Sequence, residues 1–299
     1  MNILRALTAA TCALALLGGG AALVMGSASG QQQQQAGPGA QVDLELVLAV
    51  DVSQSMDYDE HTLQRMGYVD AFRHKDVVNA ILSGPRGRIA VTVMEWAGDW
   101  DPIDIIPWTI LDSEAAVKAF ADRLEKEPVN GEQRTSISNA LYSAADRIER
   151  NNIQSIRQAI DVSGDGANNA GPPVEQARDA VLKKNITING LPIMLNKPMQ
   201  YYDIDHLDRY YKHCVIGGPA SFIVPVFDLK HLASTIRKKL VMEIAGLETA
   251  PDMAPIQFAD APDQPEPAKP GVVLAQLKLP TAKTDCFAGE KAVNGMRFQ

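Results

Sequence analysis

The chain is short of positive charge. Its 299 residues carry 28 lysines and arginines against 36 aspartates and glutamates, a formal net charge of -8. No basic stripe interrupts that balance, which argues against a nucleic-acid binder. Cysteine is scarce too, with three in all. Cys12 lies in an N-terminal apolar stretch with no lipoprotein box ahead of it, so no lipid anchor is expected. Cys214 and Cys286 remain, and they either pair or stay as two separate thiols; an oxidising compartment permits the pair. Although Ser163 stands in Ser163-Gly164-Asp165-Gly166, no histidine is placed to activate it, which argues against a hydrolase nucleophile.

What is present begins with a targeting segment. Arg5, an apolar stretch from Ala9 to Met25 and the small residues Gly26 to Gly30 read as a secretory signal over 1–30. An uncleaved membrane anchor is the alternative. The expected location is therefore periplasmic or secreted. Residues 31–41 form a linker of five glutamines followed by Ala36-Gly37-Pro38-Gly39, too polar to bury anything. A folded domain is expected over 42–246. Beyond it, seven of the 18 prolines fall between Pro251 and Pro280, so 247–299 reads as a largely disordered tail. Only Val272 to Leu279 reads as able to add a strand there, and a Cys214–Cys286 bond would tie the tail back.

Within the domain, strands alternate with amphipathic helices. Leu46-Val47-Leu48-Ala49-Val50 is an apolar run without alternation, as suits a strand covered on both faces. A long helix follows from Asp57 to Leu82, with Leu63, Met66, Val69, Phe72, Val78 and Ile81 on its apolar face. Arg88–Trp96 and Ile103–Leu111 read as a hairpin, and Pro107 places the second strand at a sheet edge. Helices are predicted over 113–126, from Ile137, from Pro172, over 201–211 and over 229–240. Strands are predicted over 156–162, 186–191 and 222–226. The pattern is α/β: a doubly wound, Rossmann-like, mainly parallel sheet with one antiparallel edge strand and helices on both faces.

Sites in such sheets form beyond the carboxyl ends of strands. Asp51, Ser53 and Ser55 stand there after the first strand, and Asp165 after the strand at 156–162. Thr135 begins a helix whose preceding loop belongs on the same rim. Two carboxylates neutralise one divalent cation, and three hydroxyls add ligands without charge. Oxygen-only ligation suits Mg²⁺ best, with Mn²⁺ or Ca²⁺ as alternatives, and does not suit Zn²⁺ or Cu²⁺. A neutral, incompletely filled site would accept an outside carboxylate, which the helix N-termini at 57 and 135 also favour. Simple helix capping by Asp51, Ser53 and Ser55 would require fewer oxygens than these.

Asp51-Val52-Ser53-Gln54-Ser55, Thr135 and Asp165 resemble the metal-ion-dependent adhesion site of von Willebrand factor A (vWA) domains, in family order and over 42–246. The resemblance implies direct ligation by Ser53, Ser55 and Thr135 in one state, with the aspartates acting directly or through water. It implies a non-enzymatic binding module that captures an Asp or Glu of a partner protein, in an envelope-associated complex. Glu95-Trp96, Pro107-Trp108-Thr109, Asp161–Asn169 and Val215–Pro219 are similar to an uncharacterised exported bacterial subfamily of these domains.

Two other readings compete. A structural envelope protein with a vestigial metal site would carry the same residues. A haloacid-dehalogenase-type phosphatase needs a second aspartate where Ser53 stands, to protonate the leaving group. His206 and His213 lie near Asp203, Asp205 and Asp208, but a solvated helix face explains them more simply than a second metal.

Overall fold

A computed structural model describes residues 39–98, 101–195, 204–246 and 284–296. The predicted signal segment, Asp203 and the stretch 272–279 lie outside the described residues. Among the described residues no helix is long and apolar enough to cross a membrane.

Five strands form one sheet: β1 (Gln41–Asp51), β2 (Ile89–Trp96), β3 (Ile103–Leu111), β4 (Gln154–Gly164) and β5 (Thr187–Pro192), in the order β3-β2-β1-β4-β5. All neighbours are parallel except β2 and β3. Pro107 sits on β3 at the edge, where its missing N–H costs no ladder bond. The strand order reverses between β1 and β4. Their carboxyl ends, Asp51 and Gly164, therefore flank the switch point at which such sheets bind ligands.

Alternate residues of β1 feed two cores. Leu44, Leu46, Leu48 and Val50 pack with α1 (Tyr58–Arg73), α2 (Lys75–Leu82), α3 (Glu114–Leu124) and α7 (Leu232–Ala245). Val47 and Ala49 face α4 (Ile137–Arg150), α5 (Val174–Leu182) and α6 (Leu207–Tyr210). This two-sided burial is what removes polar alternation from the strand.

The predicted helix over 57–82 is two helices. His74 is extended (φ -80, ψ 137), and its Nδ1 accepts the Asp76 N–H at 3.2 Å, capping α2. The predicted strand over 222–226 makes only isolated parallel bridges to β5 and the residue after it, Gly190–Ile223 and Ile193–Val226. Pro192 has no N–H to donate to Val224 O, so the ladder cannot run continuously. Where a helix over 201–211 is predicted, the described part is the short α6, continued by a π-helical turn, Tyr211–Val215. The tail adds α8 (Ala288–Met296), held by a Cys214–Cys286 disulfide. Nothing in the proline-rich composition signals that helix.

α7 is pinned to the sheet by buried charge. Lys239 Nζ lies 2.5 Å from Asp161 Oδ1 and 3.2 Å from Glu243 Oε2, with all three side chains 1% exposed. Asn189 Nδ2 donates to Glu243 Oε1 at 2.8 Å, bringing β5 into the network. Burial pushes the Asp161 carboxyl up to about 7 against the pull of Lys239. Removing the cation strands two buried carboxylates. Lys239→Met should therefore cost about 3–5 kcal/mol of unfolding free energy in urea titrations; a loss under about 1 kcal/mol would show that the network is dispensable.

Candidate metal centre

The first loop folds on its own aspartate. Asp51 Oδ1 accepts the Ser53 N–H at 2.8 Å, turning the chain sharply as β1 ends. Ser53 Oγ and Ser55 Oγ are 2.9 Å apart, and Ser55 Oγ donates to Asp165 Oδ1 at 2.5 Å. Four of the five predicted oxygens thus form one continuous polar chain from β1 to the loop after β4.

Thr135 arrives on a third loop, and several bonds fix it. Gln54 N–H donates to Glu132 O and Glu132 N–H to Val52 O, both at 2.9 Å, joining the first and third loops in a short parallel bridge. Ser136 N–H reaches Ala97 O, just past β2, at 2.6 Å. Thr135 N–H donates to Asn169 Oδ1 at 3.0 Å, and Thr135 O accepts the Asn169 N–H at 2.8 Å. A Cβ placed on Gly166, the neighbour of Asp165, would lie 3.4 Å from Thr135 Oγ1. All five predicted residues therefore share one rim.

Neighbouring groups stabilise the loops. Glu95, at the end of β2, pairs with buried Arg65 and accepts Asn130 Nδ2 at 2.5 Å. Arg65 also donates to Glu127 O at 2.9 Å, tying down the stretch that leads to Thr135. Asn168 is wholly buried; its Oδ1 accepts the Ser138 N–H at 3.0 Å, and its Nδ2 donates to Pro172 O and to Glu290 of α8. Sequence reasoning assigned Asn168 and Asn169 no structural role of their own. Tyr211 it missed altogether as a site residue.

The electrostatics are lopsided. Asp51 is fully buried, and its Oδ2 has no hydrogen-bond partner among the described residues. Burial first, and then the Asp165 charge, push its carboxyl up to about 8. What opposes the shift is hydrogen bonding from Ser53 and from the Asp165 backbone, with no basic side chain contributing. The Tyr211 phenol, also buried and unpartnered among the described residues, is pushed well above its usual value by burial and by Asp51 and Asp165. An orphaned carboxylate oxygen, a second carboxylate and three hydroxyls fit a hard divalent cation, which would supply the missing positive charge. Among the described residues no three His, Cys, Asp or Glu side chains cluster as a metal-binding group, so the centre depends on its hydroxyls. His213 Nδ1 pairs with Thr284 Oγ1 at 2.6 Å.

Residues 41–248 match the family described as "Protein of unknown function (DUF1194)". The chain belongs to that family. No curated protein matches this DUF1194 chain. Among solved structures, proximal thread matrix protein 1 from the mussel byssus matches at 13% identity and a TM-score of 0.50, over 70% of this chain and 49% of that one. The same mussel protein with a zinc-occupied MIDAS motif matches at 14% identity and a TM-score of 0.46, over 70% and 49%. The pilus adhesin SpaC from Lactobacillus rhamnosus GG matches at 12% identity and a TM-score of 0.50, over 70% of this chain and 32% of the adhesin. The DUF1194 chain thus spans about half of the mussel protein and a third of the adhesin. At such identities the likeness is one of fold: a vWA-like, mostly parallel five-stranded sheet with one antiparallel edge strand.

Two outcomes follow. A Cβ on Gly164 would come within 2.6 Å of Asp51 Oδ2 and 2.9 Å of the Tyr211 hydroxyl. Gly164→Ala should therefore lower stability by about 1–3 kcal/mol in thermal melts. In chelator, the folded protein holds a proton on Asp51 up to about pH 8, whereas an ordinary aspartate loses it near 3.8. The folded state binds more protons across that window, so stability should fall as pH rises from about 4 towards 8. A melting temperature that climbs over this range instead would contradict the burial of Asp51.

Proposed function

We propose that this chain is an exported binding module. Asp51, Ser53, Ser55, Thr135 and Asp165 would hold one divalent cation, with Mg²⁺ the best match to an all-oxygen set. When bound, the cation supplies an electrophilic position for a carboxylate from outside, and Asp or Glu of a partner protein is the ligand class. The observation that carries this reading is the buried Asp51 Oδ2, which has no partner among the described residues and faces the additional charge of Asp165.

The protein's own groups have separable tasks. Asp51 brings charge from the rigid end of the central strand. Ser53 and Ser55 relay hydrogen bonds from that strand to Asp165, so the two aspartates are held in one network before any cation arrives. A bound cation would offset the repulsion that Asp165 exerts on ionised Asp51. The proposal assigns no catalytic step. A phosphatase of the haloacid-dehalogenase type would need a carboxylic acid at position 53, and a serine hydroxyl cannot deliver a proton near neutral pH. The N-terminal sequence supports export, to the periplasm or beyond, and envelope proteins are the natural pool of partners.

Calorimetry tests the cation step. Purified protein should bind Mg²⁺ and Mn²⁺ with one-site stoichiometry, and Asp51→Ala should lose at least tenfold in affinity, which corresponds to about 1.4 kcal/mol. Equal binding by both proteins, or none by either, would refute it. For the partner step, capture of an envelope protein should be lost in chelator and restored by Mg²⁺. Capture that persists in chelator would point to a structural role with an idle site.

A further inference from the structure

The cation reading leaves one buried group unused. The Tyr211 hydroxyl is enclosed, has no hydrogen-bond partner among the described residues, and faces the metal rim. Such a group carries a desolvation cost that needs a reason.

The fold makes room for this ring twice. A Cβ on Gly164 of β4 would lie 2.9 Å from the Tyr211 hydroxyl, and a Cβ on Gly190 of β5 would lie 2.7 Å from Tyr211 Cδ1. Glycine inside a strand often marks the close approach of another element, and here two neighbouring strands yield to the same side chain. The Gly164 position also lies 2.6 Å from Asp51 Oδ2. Two oxygens so near a common point are within reach of each other through one water.

The π turn explains how the ring gets there. Ile216 N–H bonds to Tyr211 O at 3.0 Å, five residues back, so the turn is wider than α. Both Tyr210 and Tyr211 then point inward, with ring centroids 6.5 Å apart. Tyr210 Oη accepts the Asn168 N–H at 3.2 Å, steadying the loop beyond Asp165. The disulfide at Cys214 and the pair of His213 with Thr284 hold the turn from its other side. π turns recur at functional sites because they re-aim side chains without ending a helix.

We propose that Tyr211 is a positioning residue of the cation site. Resting on the function proposed above, it donates a hydrogen bond to Asp51 Oδ2 through one water, and thereby fixes how Asp51 presents its charge. Asp51 Oδ1 is already held by the Ser53 N–H. With both oxygens held, the carboxylate cannot rotate, and the cation meets a preorganised ligand. The phenol acts through Asp51 and does not itself contact the ion.

The test uses the full chain carrying Tyr211→Phe, which keeps the ring and removes only the oxygen. Mg²⁺ affinity should fall about tenfold by calorimetry, as expected for one hydrogen bond to a charged group. The melting temperature in chelator should fall by no more than a few degrees, as for the loss of one hydrogen bond. Unchanged Mg²⁺ affinity overturns the proposal. So does a weaker affinity accompanied by a drop of more than about 10 °C in chelator, which would assign Tyr211 to packing. A wild type that takes up no Mg²⁺ overturns the cation reading itself, whereas a wild type and variant that bind equally overturn the role of Tyr211 alone.

Discussion

A carboxylate at the buried end of a central parallel strand is difficult to maintain. Asp51 has no exposure to bulk solvent, and a second carboxylate, Asp165, stands on the adjoining loop. The surrounding rim answers this difficulty with hydroxyls and backbone N–H groups and supplies no basic side chain of its own to Asp51. Two other buried acids have a cation of their own: Glu95 has Arg65, and Asp161 has Lys239. Glu45, equally buried, is held by neutral donors from Asn151, Ser155 and Gln158. Asp51 has no cation, and its Oδ2 has no hydrogen-bond partner among the described residues.

The scaffold around the rim is stiff for the same electrostatic reasons. Arg65 reaches from α1 to Glu95 on β2 and to the carbonyl of Glu127, so one guanidinium joins a helix, a strand and the loop that carries Thr135. Lys239 fastens α7 to β4, and Glu243 extends the contact to β5 through Asn189. Buried pairs of this kind add little net stability over apolar packing, but they penalise any displacement that separates the partners. The rim loops are therefore seated on elements that cannot slide cheaply.

Much of this was legible in the sequence because it is local. An unbroken apolar strand ending in Asp51, Ser53 and Ser55 announces both the sheet and the place of the site, and Asp165 and Thr135 follow in loops that the α/β pattern assigns to the same rim. Non-local or irregular features stayed hidden. Apolar spacing runs straight across His74, so the break between α1 and α2 left no mark. Lys239 adjoins Leu240 on a helix face that reads as half apolar, and nothing in its spacing shows that Asp161 awaits it. Tyr211 lies in a π turn, for which no periodicity exists. α8 follows a proline-rich stretch whose composition argues for a chain without structure, and its docking depends on a disulfide and on Asn168, contacts that only three dimensions reveal.

The parallel sheet also gives the domain a direction. Gln41 opens β1 at the pole opposite Asp51, and an 11-residue strand separates the two by about 35 Å. α7 ends at that same far pole, where the Arg157 guanidinium of β4 donates to the Glu243 and Ile244 carbonyls beside Gly246. The chain therefore enters the sheet, and leaves α7, on the side away from the rim, whereas α8 returns to Asn168 beside it. A bulky neighbour attached ahead of Gln41 would therefore sit at the pole opposite the loops of Ser53, Ser55 and Thr135.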